Sequence, residues 1–245
     1  MPQYFIEKSL SPGIDFEIKG RDFQHLSTVR RINTGDKINV RDGSNSLFEC
    51  TVTGILKGCI MLHADMKLQG TDDVPDVTLV AALLKNKNFE FVLQKSTEIG
   101  ISAVIPLVSE RTVVNPGKEN NKHSRWNTII EEASKQSLRP DIPYLQEIIT
   151  FNGLVDKYPE YERIIAHLDS AAPSVRQIVA ETEKSRFLLA IGPEGGFSPS
   201  EIEKAVKSGW KCVYFGFTQM RAETASIVLS SILINEILEK KNKVL

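Results

Sequence analysis

The spacing of hydrophobic residues changes near residue 70, from the period of single strands to an alternation of strands and helices. In residues 47–53, Phe48, Cys50 and Val52 alternate with polar side chains, which is the period of a half-buried strand. Further short strands are predicted at residues 3–6, 37–41 and 59–65, with one short helix at residues 21–29. Several strands joined by tight turns in so short a stretch predict a small β-barrel.

After a polar linker the pattern becomes that of an α/β protein. Strands are predicted at residues 77–83, 103–108, 163–168, 187–191 and 212–215, and helices at residues 88–98, 123–138, 174–181, 200–208 and 222–241. Such alternation is typical of a mostly parallel sheet covered by helices on both faces. We therefore expect two domains, a small β domain at residues 1–70 and an α/β domain at residues 71–245.

The last predicted helix is apolar around most of its circumference rather than along one stripe. Its apolar residues include Ala225, Ile227, Val228, Leu229, Ile232, Leu233, Ile234, Ile237 and Leu238. A helix of this kind is buried on more than one side, and the sheet covers only one. A second subunit in a two-fold homodimer is the expected cover, and enclosure within a single chain is the alternative.

Charge and composition bear on whether the protein binds RNA, a metal or a membrane. The 30 Lys and Arg residues against 31 Asp and Glu residues give a formal charge of −1, so an RNA-binding surface requires local clustering of cations. The three cysteines and four histidines lack disulfide or metal-ligand spacing, and we expect no metal. We find neither a signal-peptide start nor an apolar run of membrane-spanning length, which predicts a cytoplasmic protein with no membrane contact.

The most informative motif lies between a predicted strand and a predicted helix. It reads Gly192-Pro193-Glu194-Gly195-Gly196-Phe197-Ser198-Pro199-Ser200-Glu201. Ser198 and Glu201 have the spacing of a capping box, and Pro199 suits the first helical position. The glycines indicate either a tight strand-to-helix turn or a backbone that approaches a ligand closely. The ends of parallel strands, where this loop lies, are where open α/β sheets bind ligands.

A second polar loop follows the next predicted strand and leads into the last helix. It reads Phe215-Gly216-Phe217-Thr218-Gln219-Met220-Arg221-Ala222-Glu223. Arg221 and Glu223 would form either an ordinary surface pair or one side of a pocket shared with the first loop. Two polar loops at strand ends favour the shared pocket.

Together the two motifs resemble those of the RsmE family of SPOUT-class RNA methyltransferases. The resemblance rests on Gly192–Phe197 and on Met220-Arg221-Ala222-Glu223-Thr224-Ala225. It extends over nearly the whole chain, through residues 25–31 and through Ser109-Glu110-Arg111. Family members usually carry Leu-Arg-Thr-Glu-Thr in the second string and Gly-Pro-Arg before it. This chain departs from that pattern at Met220, Ala222 and Phe217-Thr218.

This resemblance implies a trefoil-knotted SPOUT methyltransferase domain behind an N-terminal domain similar to PUA RNA-binding barrels. It implies S-adenosylmethionine as the cofactor and a homodimer as the assembly. The implied reaction is methylation of N3 of a uridine in the decoding region of 16S ribosomal RNA, within the small ribosomal subunit. The implied cofactor-binding residues are His167, Leu168, Gly192, Pro193, Glu194, Gly195, Gly196, Phe215, Gly216, Met220 and Arg221.

Methylation of uracil N3 requires removal of a proton from a base that is unpaired or flipped out of its stack. We expect Arg221 to stabilise the resulting anion, and Glu194 or Glu223 to accept or orient the proton. In the β domain we expect His25, Arg30, Arg31 and Arg41 to contact RNA. The neighbouring acidic residues Asp22, Asp36 and Asp42 nearly balance this positive charge.

Other functions remain open on the sequence alone. They are methylation of another RNA such as transfer RNA, RNA binding without catalysis, and an enzymatic reaction with a nucleotide such as ATP in the Gly192–Gly196 loop. Binding of S-adenosylmethionine, measured by calorimetry, distinguishes the methyltransferases from the other two.

Overall fold

The chain forms two compact units. The computed structural model describes residues 3–44, 46–68, 74–85, 87–115, 117, 122–139, 141–167, 171–214 and 218–242. One unit comprises Met1–Asp73 with Ser134–Asp141, and the other comprises Val74–Ala133 with Ile142–Leu245. The segment Ser134–Asp141 therefore groups with the N-terminal unit, which the sequence pattern did not indicate. The division into domains at residue 70 stays a prediction.

The first unit is built on a five-stranded sheet of order β1–β3–β4–β5–β2. Its strands are β1 (Gln3–Phe5), β2 (Asp15–Lys19), β3 (Lys37–Arg41), β4 (Leu47–Leu56) and β5 (Cys59–Leu68). β1 runs parallel to β3, and the other neighbours are antiparallel. Alternate side chains of the strands, such as Val40, Cys50 and Leu62, form the core of this unit, as the period-2 pattern predicts. The predictions did not include β2.

The predicted helix of this unit is shorter and less regular than expected. Helix α1 (Gly20–Gln24) passes into a π-helical turn, His25–Val29, in which the Arg30 amide donates to the His25 carbonyl at 3.1 Å. Because a π turn contains more residues than an α turn, residues 21–29 do not present one continuous apolar face. Leu26 is fully buried while Val29 is 71% exposed.

The second unit contains a sheet of order β12–β10–β11–β6–β7–β8, with β9 also paired to β7. Its strands are β6 (Asp76–Ala82), β7 (Ala103–Val108), β8 (Tyr144–Leu145), β9 (Ile149–Thr150), β10 (Glu162–Ala166), β11 (Arg186–Ile191) and β12 (Lys211–Val213). The pairings among these strands are parallel. The predicted α/β fold is confirmed.

Helices cover both faces of this sheet. They are α2 (Asn88–Ile99), α3 (His123–Gln136), α4 (Phe151–Leu154), α5 (Val175–Glu181), α6 (Pro199–Lys207) and α7 (Ala222–Asn242). Along β11, Leu189 belongs to a core shared with residues of α2, α5 and α7, whereas Leu188 belongs to a core shared with residues of α4 and α6. This alternation places one core on each face of the sheet.

Helix α7 packs inside its own unit. It contacts α2, α5, β6 and β11, and Leu233, Ile234 and Ile237 are buried in the core of that unit. Much of the apolar circumference of α7 is therefore covered by its own chain. Enclosure of this kind was the alternative to cover by a second subunit. In the described ranges, no helix has the length and apolarity needed to cross a membrane.

Candidate functional site

Three adjacent strands end at one edge of the parallel sheet. β10 lies between β11 and β12, and it is parallel to both, so the segments that follow the three strands leave from the same edge. His167 follows β10 and donates its amide to the Val213 carbonyl at 3.1 Å, while Gly192 follows β11. The predicted residues Leu168, Phe215 and Gly216 lie outside the described residues.

After β11, residues 192–197 form a tight loop that we call the glycine turn. The Gly196 amide donates to the Pro193 carbonyl at 2.8 Å, so Glu194 and Gly195 occupy the centre of the turn. Gly196 has φ +68°, a left-handed conformation that favours glycine. A Cβ at Gly192 would lie 3.1 Å from the backbone of both Gly196 and Phe197. The turn is therefore closed so tightly that a side chain at Gly192 would force its neighbours to shift.

This turn presents hydrogen-bond donors. Across the described residues, the amides of Glu194 and Gly195 have no hydrogen-bond partner. Glu194 and Gly195 are exposed, whereas Gly192 and Pro193 are buried. An exposed pair of amides at the end of a parallel strand is suited to bind an acceptor-rich small molecule.

A capping box fixes the helix that follows. The Ser198 Oγ accepts a hydrogen bond from the Glu201 amide at 3.3 Å, and the Glu201 Oε2 accepts one from the Ser198 amide at 2.9 Å. Pro199 is the first helical residue. The predicted capping box is confirmed. The other carboxylate oxygen of Glu201, Oε1, accepts the Glu110 amide at 2.9 Å, which ties the segment after β7 to the start of α6.

The same segment after β7 supplies a site residue that sequence reasoning missed. Arg111 Nη1 donates to the Gly195 carbonyl at 2.7 Å. Arg111 and Gly195 are 84 positions apart, so no local pattern joins them. The available signal was the polar string Ser109-Glu110-Arg111 directly after an apolar strand, which marks a strand-end loop of the same kind as the glycine turn.

At the start of α7 the structure leaves a carboxylate oxygen buried without a partner. Oε2 of Glu223 is buried and makes no hydrogen bond to any residue that the structure describes. Arg221 is exposed and Met220 is half-buried, and no ion pair between Arg221 and Glu223 is found in the described chain. A buried polar atom without a partner is costly, so Glu223 is a candidate to bind a group that the described chain does not supply.

In the first unit, three of the four residues predicted to contact RNA lie at the surface. His25, Arg30 and Arg31 are exposed, and Arg31 adopts φ +50°, which is uncommon for a residue other than glycine. The Tyr4 hydroxyl lies 3.1 Å from Nδ1 of His25. Burial raises the pKa of Tyr4, an effect that the charge of Arg30 opposes, so the hydroxyl is protonated at neutral pH.

Arg41, the fourth of these residues, lies in the interior. It is 4% exposed, and this position does not fit the expected phosphate contact. This burial breaks the strand alternation, because residues 40 and 41 point to opposite faces of β3 and are both buried where β3 ends beside β1 and β4.

The acidic residues near these cations have other partners. Asp22 pairs with Lys135 at 2.8 Å, and Asp36 accepts the Asn33 amide at 2.8 Å. Asp42 is buried and accepts the amides of Leu10, Ser44 and Ser46. In the part of the chain that the structure describes, no cluster of three or more His, Cys, Asp or Glu side chains could hold a metal ion.

Comparison with known proteins defines the class to which this fold and site belong. The model of an RNA methyltransferase domain matches residues 72–234, and that of an RNA methyltransferase PUA domain matches residues 18–58. The chain is 32% identical to the ribosomal RNA small subunit methyltransferase E of Synechocystis sp., covering 88% of this chain and 71% of the relative. It is 27% identical to that of Bacillus subtilis, covering 93% of each protein.

A solved structure agrees with the sequence relatives. It is the ribosomal RNA small subunit methyltransferase E of Neisseria gonorrhoeae bound to S-adenosyl methionine, with a TM-score of 0.85 and 25% identity. The two structures match over 96% of this chain and 97% of the other. The unit with the parallel sheet and the glycine turn is thus an RNA methyltransferase domain, and a PUA-like unit precedes it in sequence. The chain belongs to the ribosomal RNA small subunit methyltransferase E family, the RsmE family of the sequence resemblance.

The double role of Glu201 yields a prediction about stability. In Glu201→Gln, the side-chain NH₂ would point at one of the two backbone N–H groups that donate to the carboxylate. That N–H group would then lose its acceptor. We expect a loss of about 1–3 kcal/mol in the free energy of unfolding, measured by urea denaturation. The matched control is Glu203→Gln on the same helix, an exposed residue paired with Lys207, which should leave the midpoint nearly unchanged. Equal midpoints for the two variants would contradict the role of Glu201.

Proposed function

We propose that this protein transfers the methyl group of S-adenosylmethionine to N3 of a specific uridine in the decoding region of 16S ribosomal RNA. Family membership over most of the chain supports methylation of small-subunit ribosomal RNA with this cofactor. The observation that carries the proposal is the glycine turn, whose free amides lie at the sheet edge where three parallel strands end. Cytoplasmic localisation and a substrate within the small ribosomal subunit are parts of the same proposal.

The residues at the sheet edge fit S-adenosylmethionine. The cofactor carries hydrogen-bond acceptors on its adenine and ribose, and the amides of Glu194 and Gly195 are donors without a partner in the described chain. No atom lies within 4 Å of the position that a Cβ on Gly196 would occupy, so a flat ring can approach the backbone there. We assign His167, Met220 and Arg221 to the same site, and the further predicted residues Leu168, Phe215 and Gly216 lie outside the described residues.

The chemistry asked of the protein is positioning and proton removal. The cofactor, when bound, supplies a methyl group already activated by a sulfonium. The chain must hold uracil N3 in line with that methyl group and remove the N3 proton. We assign proton removal to Glu223, because its buried Oε2 lacks a partner among the described residues, whereas the carboxylate of Glu194 is exposed to water. Arg221, exposed beside it in sequence, would stabilise the uracil anion.

The N-terminal unit would bind the RNA backbone. His25, Arg30 and Arg31 lie on or next to one π-helical turn, and the acidic residues near them are engaged with other groups. Contacts of this kind fix the register of the RNA, and they carry no sequence information. The phosphate contacts would therefore not choose the uridine, and the choice would depend on which base reaches the cofactor.

A direct test of the function is mass mapping of methylated uridines in 16S ribosomal RNA from cells that lack the gene. Loss of one N3-methyluridine in the decoding region, restored by the intact gene, is the expected result. An intact methylation pattern in 16S ribosomal RNA with a loss in transfer RNA would favour the transfer-RNA alternative. ATP binding with no S-adenosylmethionine binding would contradict the proposal.

The glycine turn predicts an effect on cofactor affinity. In Gly192→Ala, the new Cβ would lie 3.1 Å from two backbone atoms, so the turn must shift. Such overpacking costs about 1–3 kcal/mol, and we expect S-adenosylmethionine to bind about tenfold more weakly or worse, measured by calorimetry. Gly54→Ala is the control, because a Cβ there meets only Met61 side-chain atoms at 3.8 Å or more. Unchanged affinity in Gly192→Ala would refute this placement of the pocket.

Assigning the proton acceptor to Glu223 predicts an effect on kcat. The amide of Glu223→Gln cannot take up a proton, and we expect kcat to fall by about a hundredfold or more, with S-adenosylmethionine affinity little changed. Single-turnover methylation of a 16S fragment measures the chemical step. Glu194→Gln makes the same chemical change at an exposed residue. A larger loss in Glu194→Gln than in Glu223→Gln would transfer the role to Glu194.

The exposed arginines predict a salt effect on RNA binding. In the double variant Arg30→Ala/Arg31→Ala we expect weaker binding and a salt slope shallower by about one to two, because two phosphate contacts are removed. Titrations at several salt concentrations measure the slope, and cofactor affinity should not change. The double variant Lys8→Ala/Lys57→Ala removes the same charge from exposed positions of the same unit. An equal slope change in both variants would indicate general electrostatics rather than specific contacts.

Two further features of the family belong to the proposal. The trefoil knot stays a prediction, because residues 168–170 and 215–217, which lead out of β10 and β12, lie outside the described residues. The homodimer also stays a prediction. Ile234 and Ile237 serve the core of their own unit, so a partner would have to cover the apolar side chains of α7 that remain partly exposed, which are Ala225, Ile227, Val228, Ile232 and Leu238.

The oligomeric state is directly measurable. We expect sedimentation equilibrium at micromolar concentration to give twice the chain mass of 27.4 kDa. An isologous interface of this kind is the commonest form of homo-oligomer. A mass of one chain under these conditions would contradict the dimer.

A further inference from the structure

The segment after β7 has no role in the function proposed above, yet it is bonded to the glycine turn. It comprises residues 109–112, which we call the 109–112 loop. Arg111 Nη1 donates to the Gly195 carbonyl at 2.7 Å. The Cβ and Cδ of Arg111 lie 3.6 and 3.4 Å from the position that a Cβ on Gly195 would occupy, so the stem of Arg111 runs along the turn as well.

The loop is itself held in place by two further sets of bonds. The Thr112 Oγ1 accepts the Ser109 amide at 2.9 Å, and the Ser109 carbonyl accepts the Thr112 amide at 3.0 Å. The Glu110 amide donates to the buried carboxylate of Glu201 at 2.9 Å. Arg111 therefore projects from a support that is fixed on both sides, which is what a residue needs in order to position another group.

The glycine turn is a segment that requires such support. Gly195 and Gly196 are adjacent, and glycine loses more conformational freedom on ordering than any other residue. The amides of Glu194 and Gly195 are free to bind, and the peptide that follows them carries the Gly195 carbonyl to which Arg111 bonds. Holding that carbonyl fixes the plane of the Gly195–Gly196 peptide, and it thereby limits the directions in which the neighbouring amides point.

We infer that Arg111 is a positioning residue for the cofactor, acting through the Gly195 carbonyl to hold the glycine turn in its binding conformation before S-adenosylmethionine arrives. The inference rests on the proposed function, because it takes the glycine turn as the cofactor site. A preorganised turn binds more tightly, since less conformational entropy is lost on binding. Arg111 should therefore affect cofactor affinity rather than the chemical step.

A different role for Arg111 would give a different result. A guanidinium has five N–H donors, and among the described residues Arg111 uses only Nη1 in a hydrogen bond. The remaining donors could bind an RNA phosphate. In that case loss of Arg111 would weaken RNA binding and flatten its salt dependence, while cofactor affinity would not change.

The experiment compares Arg111→Met, which keeps the apolar stem, with Arg125→Met. Arg125 is an exposed arginine of the same unit, paired with Glu90 at 2.7 Å, and its loss should not affect the site. For Arg111→Met we expect S-adenosylmethionine to bind about tenfold more weakly in calorimetry, as for loss of one charged hydrogen bond. The KM for the cofactor should rise in parallel, with kcat at saturation and the RNA affinity close to those of the unmodified protein.

Two readouts separate positioning from a general loss of stability. Hydrogen exchange of the Gly196 amide, which is bonded to the Pro193 carbonyl, should be faster in Arg111→Met without cofactor, while amides in β11 keep their protection. In Arg111→Ala, added guanidinium ion should restore part of the cofactor affinity, and methylammonium should restore less because it lacks the planar donor geometry.

The possible outcomes are distinct. Unchanged cofactor affinity in Arg111→Met overturns the inference, as does a fall in RNA affinity with a shallower salt slope. Uniformly faster exchange throughout the second unit also overturns it, because the residue would then be a general stability element. If the unmodified protein binds no S-adenosylmethionine, the proposed function itself fails. If the unmodified protein and Arg111→Met bind the cofactor equally, only the role of Arg111 fails.

Discussion

The candidate site depends on one carboxylate that accepts hydrogen bonds from two distant parts of the chain. One oxygen of Glu201 closes the capping box with Ser198, and the other accepts the Glu110 amide. The first bond fixes where α6 begins and therefore where the glycine turn must end. The second brings the segment after β7 to the same place. Because Glu201 is only 7% exposed, water competes little for these bonds, and each contributes more than it would at the surface.

The pattern of neighbouring residues was sufficient to predict those strands and helices that are specified by a short continuous stretch of sequence. The predicted strands at residues 37–41 and 103–108 coincide with β3 and β7, and the helix start at Ser198–Pro199 follows from capping chemistry alone. β2 was missed, although Phe16 and Ile18 alternate with charged residues over the same five-residue length as β3. The π-helical turn was also missed, because propensity and periodicity do not specify an i to i+5 bond.

The site could be predicted only in part, because its residues come from separate strands. Glycine spacing placed the turn at residues 192–196, since glycine marks positions where backbone conformation is constrained. The contact of Arg111 with Gly195 depends on which strands are neighbours, and a single sequence does not contain that information. Arg41 shows the reverse problem. An arginine beside a turn is usually exposed, and only the tertiary fold reveals that this one is in the interior.

The packing of α7 has a consequence for how the protein is made. This helix covers β6 and β11, the middle of the parallel sheet, and contacts α2 and α5 on either side. Residues 222–242 leave the ribosome after every other element of the unit has been synthesised. Until then the apolar face that includes Val77, Leu189 and Val92 lacks its cover and is open to association with other chains. The nascent polypeptide therefore passes through a stage in which every strand of the sheet has been synthesised and α7 has not. Protection of this apolar face by a chaperone would be of greatest value at that stage.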